Sequence, residues 1–139
     1  MATHRFEDGA AYERMNGTWT RLVGPTFLGW IGHRPALRWL DVGCGNGAFT
    51  EQIVDNCAPL EVKGIDISAG QLAFARQRHG TRTVEFIEGN AMNLPFATNS
   101  FDIVVMALVI FFVQDPAMSV AEMARVASHG GTVATYALG

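Results

Sequence analysis

The stretch WLDVGCGNGAF, Trp39 to Phe49, carries the densest chemistry in the chain. Gly43, Gly45 and Gly47 alternate there. Such a pattern suits a backbone that turns sharply and lets a ligand come closer than a Cβ allows. Read from Gly43, the segment spells G-x-G-x-x-A, an accepted form of the dinucleotide fingerprint. Read as D-x-G-x-G-x-G, it puts the Asp41 carboxylate two residues ahead of the turn. A carboxylate repels a pyrophosphate and attracts a cation. Asp41 therefore acts on a ligand ammonium directly or through water, or it accepts hydrogen bonds from the turn's own amides.

Further residues extend the site. Asp66 lies 19 positions after Gly47, at the end of an apolar segment. A carboxylate so placed can accept both hydroxyls of a ribose, whichever adenosine cofactor carries it. Asn90 offers a side-chain amide to an adenine amino group, with Ala91 and Met92 beside it for backbone and packing contacts. Ile67 either covers one face of the adenine or belongs to the core. Ala107 and Leu108 end a long apolar segment and are placed to pack on the remainder of the ligand, whereas Asp102 begins that segment and orients it. S-adenosylmethionine carries a sulfonium and an ammonium and no phosphate, so it suits Asp41. A nicotinamide cofactor is the competing reading.

These residues must be held by elements, and the chain alternates between two patterns. ALRWLDV, EVKGIDI, TVEFIEG, FDIVVMAL and TVATYAL read as strands. GAFTEQIVDNC reads as a helix, as does AGQLAFARQRHG, capped by Ser68 and closed by Gly80. DPAMSVAEMARVASHGG is a third, with Pro116 in its first turn and Gly130-Gly131 at its end. Residues 1–36 form a helical lead-in, with Trp19 and Trp30 expected in the core and Pro25 expected to force a kink or a new start. Strands alternating with helices predict an α/β fold, a parallel sheet covered on both faces. Ligands of such sheets sit beyond the carboxyl ends of the strands, where the strand order reverses.

Composition narrows the class. The chain has 139 residues, 49% hydrophobic and 17% charged, which suits one globular domain, residues 1–139, with its core over 37–139. The net charge is −3 and Lys and Arg form no cluster, which argues against a nucleic-acid partner. The longest apolar run, Ile103 to Val113, has eleven residues, about half of what a membrane span needs. No signal-peptide pattern opens the sequence, so a cytoplasmic location without a membrane partner is expected. Cys44 and Cys57 share no CxxC spacing, so reduced thiols are expected and a metal site is not. His4, His33, His79 and His129 are scattered.

LDVGCGNG, GIDIS, EGNAMNLPF, SFDIVVMALVIFFVQDP and EMARVASHGGTVATY follow one another at ordinary spacing. Together they resemble the motifs of the class I S-adenosylmethionine-dependent methyltransferases, most closely the type 11 or UbiE-like small-molecule enzymes. YERMNGTWTR resembles that group's lead-in helix. The resemblance spans residues 12 to 136. It implies a Rossmann-like three-layer αβα sandwich with sheet order 3-2-1-4-5. It implies S-adenosyl-L-methionine as cofactor, S-adenosyl-L-homocysteine as product and a small molecule as methyl acceptor. Gly43, Gly45 and Gly47 would border the methionine portion, Asp66 the ribose, and Asn90 and Ala91 the adenine, with Cys44 of the same turn also among the cofactor-binding residues. Tyr12 and Trp19 would cover the methyl end, where aromatic faces suit a sulfonium.

The chain also departs from the family. Thr18 stands where relatives carry Arg, Phe111 and Phe112 where they show His or Asn, and His129 where they have Pro. No general base is identifiable. The family's sheet continues 7-6 beyond strand five, and this sequence stops at TVATYALG. A truncated domain is expected, or a strand five that pairs with a second copy. The expected activity is direct methyl transfer to a small molecule. The alternatives are a degenerate cofactor-binding domain without activity and, more remotely, a nicotinamide-dependent oxidoreductase.

Overall fold

The computed structural model describes residues 9–107 and 113–136, with side chains from residue 17 onward. Its elements in chain order are α1 (Gly9–Ile31), β1 (Arg38–Val42), α2 (Ala48–Cys57), β2 (Glu61–Asp66), α3 (Ala69–Gln77), a 3-10 turn (His79–Thr81), β3 (Glu85–Glu88), β4 (Phe101–Ala107), α4 (Pro116–Val126) and β5 (Ala127–Tyr136). The five strands form one sheet in the order β3-β2-β1-β4-β5, and every pairing is parallel. The order reverses between β1 and β4, as the expected fold requires.

Alternation along the strands sends side chains to two cores. On one face Trp39, Val62, Ile103, Val105 and Ala134 meet Phe27 and Leu28 of α1 and Phe49, Ile53 and Cys57 of α2. On the other, Leu40, Val42, Ile65, Val104 and Met106 meet Met123 and Val126 of α4 and Leu94 of the loop before β4. A third cluster seats Leu72 and Ala75 of α3 on Phe86 and Cys44. Gly64 makes that contact possible, because a Cβ there would lie 2.8 Å from the Phe86 ring and 3.0 Å from the Cys44 sulfur. At the amino ends of the central strands, Asp102 accepts from the Arg38 backbone at 2.8 Å and from its guanidinium at 3.1 Å. Asp102 thus orients β4 against β1, the role expected for it.

Several boundaries differ from the sequence pattern. Pro25 neither ends nor restarts the lead-in, since α1 runs continuously through it. One turn before it, the Thr20 carbonyl accepts from Gln52 Nε2 of α2 at 2.9 Å, which fastens this part of the helix to α2. The buried side of α1 is Thr20, Gly24, Phe27 and Leu28. Trp30 is 75% exposed and Trp19 37%, so neither is the core residue expected, because both fall outside the face through which Thr20, Gly24, Phe27 and Leu28 dock the helix. The last helix stops at Val126, short of Gly130-Gly131. Those glycines lie inside β5, where the pairing shifts register between Phe101 and Ile103. Gly130 has φ +76, and a Cβ on Gly131 would sit 2.7 Å from the Asp102 carbonyl, so the pair builds a bulge and not a helix end. Ser68 caps α3 by accepting from Gln71 N, as expected, but the helix ends at Gln77 before Gly80.

Candidate cofactor site

A cavity of about 590 Å³ opens at the carboxyl ends of β1, β2, β3 and β4. That volume lies within the usual range for small-molecule sites. Ten of the fourteen expected residues line it: Asp41, Gly43, Cys44, Gly45, Asp66, Ile67, Asn90, Ala91, Met92 and Ala107. Leu108 and the Tyr12 side chain lie outside the described residues.

Two expected residues do not line the cavity. Gly47 has φ +85 and starts α2, and a Cβ on it would stand 3.0 Å from the Ala75 Cβ. It lets the turn pass close to α3 and is not a wall of the cavity. Trp19 also falls outside the lining, and its neighbour Thr20, 5% exposed, takes the position. A helical step of about 100° separates consecutive side chains, so identifying the right segment did not identify the right residue.

The turn is organised by two carboxylates, and their roles differ from one of the expectations. Asp66 accepts from Gly45 N at 2.8 Å through Oδ2 and from Ser68 N at 2.9 Å through Oδ1. Asp66 therefore ties the glycine turn to the start of α3. Asp41 does not accept from the turn's amides. It is 1% exposed, and Thr50 of α2 donates its hydroxyl to Oδ2 at 2.7 Å. Burial pushes the Asp41 carboxyl up to about 7, with Asp66 adding to the rise and the Thr50 hydrogen bond opposing it. Burial, with Asp41 and Asp66 nearby, pushes the Cys44 thiol far up, and Cys44 and Cys57 are both free and buried. Cys44 is therefore an inert wall of the turn.

On the other wall, Asn90 Oδ1 accepts from Met92 N at 2.8 Å and closes the turn after β3. Ile67 is 68% exposed and lines the cavity, so the core reading of that residue is excluded. The lining also includes Thr20, Phe49 and Gln71, which the sequence pattern did not single out. Phe49, in the first turn of α2, serves both the core and the cavity. Nothing local in the sequence marks Thr20 or Gln71, because α1 and α3 bring them in from separate elements.

Charge discriminates between ligands. Among the described lining residues there are two aspartates and no Lys, Arg or His. A pyrophosphate would meet carboxylates with no compensating cation among the described lining residues, whereas a ligand bearing an ammonium and a sulfonium would be attracted. The residues present thus fit S-adenosylmethionine better than a dinucleotide.

Comparison with known proteins agrees with that chemistry. A family model described as "Methyltransferase domain" matches residues 40–135. Demethylmenaquinone methyltransferase of Renibacterium salmoninarum is 39% identical over 113 residues, 81% of this chain and 44% of the relative. The biotin biosynthesis bifunctional protein BioHC of Cellvibrio japonicus is 37% identical over 131 residues, 94% of this chain and 25% of the relative. Among solved structures, a chain of the complex between the Haloferax volcanii Trm112 methyltransferase activator and a methyltransferase aligns with a TM-score of 0.79. It is 26% identical and the alignment covers 91% of this chain and 57% of that one. The chain therefore spans less than half the length of these two curated relatives. With the strand order, the glycine turn and the family match in agreement, the chain belongs to the UbiE-like class I methyltransferases, whose cofactor is S-adenosylmethionine.

Proposed function

We propose that this chain binds S-adenosylmethionine in the cavity beyond β1–β4 and directs its methyl group to a small-molecule acceptor. The observation that carries this reading is the cavity lining, acidic at Asp41 and Asp66 and without a basic side chain among the described residues. Bound there, the cofactor supplies a methyl group already activated by a positively charged sulfur. The protein's task is then to align the acceptor and exclude water. In this reading Asp66 accepts from the ribose, Asp41 meets the ammonium, and Gly43 and Gly45 border the methionine portion. Asn90, Ala91, Met92 and Ile67 surround the adenine, and Ala107 packs beside the ribose. The name of the Renibacterium relative points to a quinone-type acceptor.

Calorimetry with S-adenosylmethionine, S-adenosylhomocysteine and NAD tests the cofactor assignment. Binding of the first two without NAD is expected, and binding of NAD alone refutes it. Transfer of a labelled methyl group to a panel of acceptors that includes a demethylmenaquinone analogue tests turnover.

A second reading, a cofactor-binding domain without turnover, is favoured by one observation. The titratable side chains on the described lining are Asp41, Asp66 and a thiol that burial holds protonated, and both carboxylates are engaged by the cofactor in the assignment above, so none of the described ones is left to serve the acceptor as a base. Tight cofactor binding with no transfer to any acceptor would establish it.

The proposal treats residues 1–139 as one domain and extends to β5, which is an edge among the described strands. In this reading β5 pairs with a second copy, and light scattering on the eluting protein tests this, a monomer at working concentration refuting it. No described helix is long and apolar enough to cross a membrane. A cytoplasmic location is part of this proposal, and cell fractionation tests it.

A further inference from the structure

The Asp41 carboxylate is nearly sealed from water, and it still lines the cavity. Its one hydrogen-bond partner among the described side chains is Thr50, itself 0% exposed, which donates to Oδ2 at 2.7 Å. Thr50 sits three residues into α2, on the helix that the glycine turn launches. The bond therefore ties the last turn of a strand to the first turn of the next helix, directly behind the ligand space. The short bond restrains Oδ2 on the α2 side, and the other oxygen keeps its acceptor capacity.

We propose that Thr50 is a positioning residue for the amino-acid end of the cofactor, its hydroxyl clamping Oδ2 of Asp41 and so aiming the carboxylate at the ligand's ammonium group. This rests on the cofactor assignment made above. The electrostatic surroundings support it. Asp66 from β2 lies close enough to raise the affinity of Asp41 for a proton, as burial does, and Thr50 is the group that opposes them. The remaining titratable neighbours are Cys44 in the turn and Tyr136 on β5, both pushed toward their neutral forms by burial and by Asp41 itself. No Lys, Arg or His lines the cavity among the described residues, so the Thr50 hydroxyl, which opposes the burial effect only in part, is what favours the ionised carboxylate before the ligand arrives. Loss of the hydroxyl leaves a buried carboxylate without its partner, and the carboxylate then takes up a proton in place of a ligand.

The test compares wild type with Thr50→Val and Thr50→Ser, using two probes. S-adenosylmethionine carries the ammonium, and 5′-methylthioadenosine has the same nucleoside without the amino-acid portion. Thr50→Val is expected to weaken S-adenosylmethionine about tenfold, the usual scale for one lost hydrogen bond to a charged group. Methylthioadenosine should bind as in wild type, and Thr50→Ser should restore the affinity for S-adenosylmethionine. Across pH 6 to 8.5 the valine variant should need a higher pH to reach its best affinity, while methylthioadenosine stays flat. Equal weakening of both probes, or no weakening of either, overturns the proposal in favour of a packing role. If Thr50→Val is poorly folded, Thr50→Ala carries the same expectation in a smaller side chain. Failure of wild type to bind either probe refutes the cofactor assignment itself, a result distinct from selective failure of the Thr50 contrast.

Discussion

Gly45 and Gly47 occupy one turn, and the structure predicts opposite consequences for the same substitution at each. Gly45 has φ +53, and a Cβ added to it would meet no atom within 4 Å. Gly45→Ala therefore carries only the backbone penalty of a left-handed alanine, about 1 kcal/mol. In a domain of this size that lowers Tm by roughly 3 to 5 °C. Its methyl group projects into open space bordering the cavity that Gly45 lines, where the cofactor is proposed to pass. Gly47 has φ +85, and its Cβ would come within 3.0 Å of the Ala75 Cβ and 3.3 Å of the Ala75 Cα. Gly47→Ala adds overpacking against the α3 backbone to the same penalty, for a total of about 2 to 4 kcal/mol. Thermal melts followed by circular dichroism measure the stability side, and calorimetric titration with S-adenosylmethionine measures the other. Gly45→Ala should melt near wild type and lose more than tenfold in affinity. Gly47→Ala should melt much lower. Wild-type affinity in Gly45→Ala would refute the placement of the ligand, and equal melting losses would refute the division of roles within the turn.

Three further outcomes are expected. Asp41 titrates near 7 in the folded chain and near 3.8 when unfolded, so the native state holds the extra proton between those values. Stability then falls as pH rises from about 4 to about 7, by up to about 4 kcal/mol for this group. Asp41→Asn should remove that fall and melt higher than wild type at pH 8 in the absence of ligand, and an unchanged pH profile would contradict the assignment. Asp66→Ala strips the acceptor from Gly45 N and Ser68 N. It should destabilise by roughly 1 to 2 kcal/mol and weaken S-adenosylmethionine by more than tenfold, as urea melts and titration will report. A Cβ at Gly24 would land on the side-chain amide of Gln52, which holds the Thr20 carbonyl. Gly24→Ala should loosen α1, seen as faster proteolysis in that helix, and Gln52→Ala in the same chain should recover part of the loss by making room.

Much of the site was legible because its residues lie in short contiguous motifs. Gly43, Gly45 and Asp41 share one strand-turn-helix unit, and Asp66 and Asn90 end the next two strands, so the parallel topology brings them together without knowledge of any side chain. The parts that were not legible depend on facing elements. Trp19 and Thr20 are adjacent in sequence, and only the docking of α1 on Gln52 decides that Thr20 faces the cavity. Gly130-Gly131 read as a helix stop, because glycine serves helix ends and bulges alike. The approach of the Asp102 carbonyl selects the bulge.

The sequence alone therefore determined the strand-helix alternation, the sheet order, the family and the acidic, phosphate-averse character of the turn. The alternation depends on local periodicity and the acidic turn on residues within one connection, whereas the sheet order and the family came through the resemblance of the ordered motifs between residues 12 and 136. The tertiary structure decided which carboxylate does which job. Asp41 and Asp66 are both acids at strand ends, and their positions in the sequence suggest different ligand groups but not which protein groups each one engages. Asp66 remains half-buried and takes the amides of Gly45 and Ser68, whereas Asp41 is enclosed by α2 and left with the Thr50 hydroxyl. That difference comes from desolvation and partner geometry, which arise only when separate elements pack.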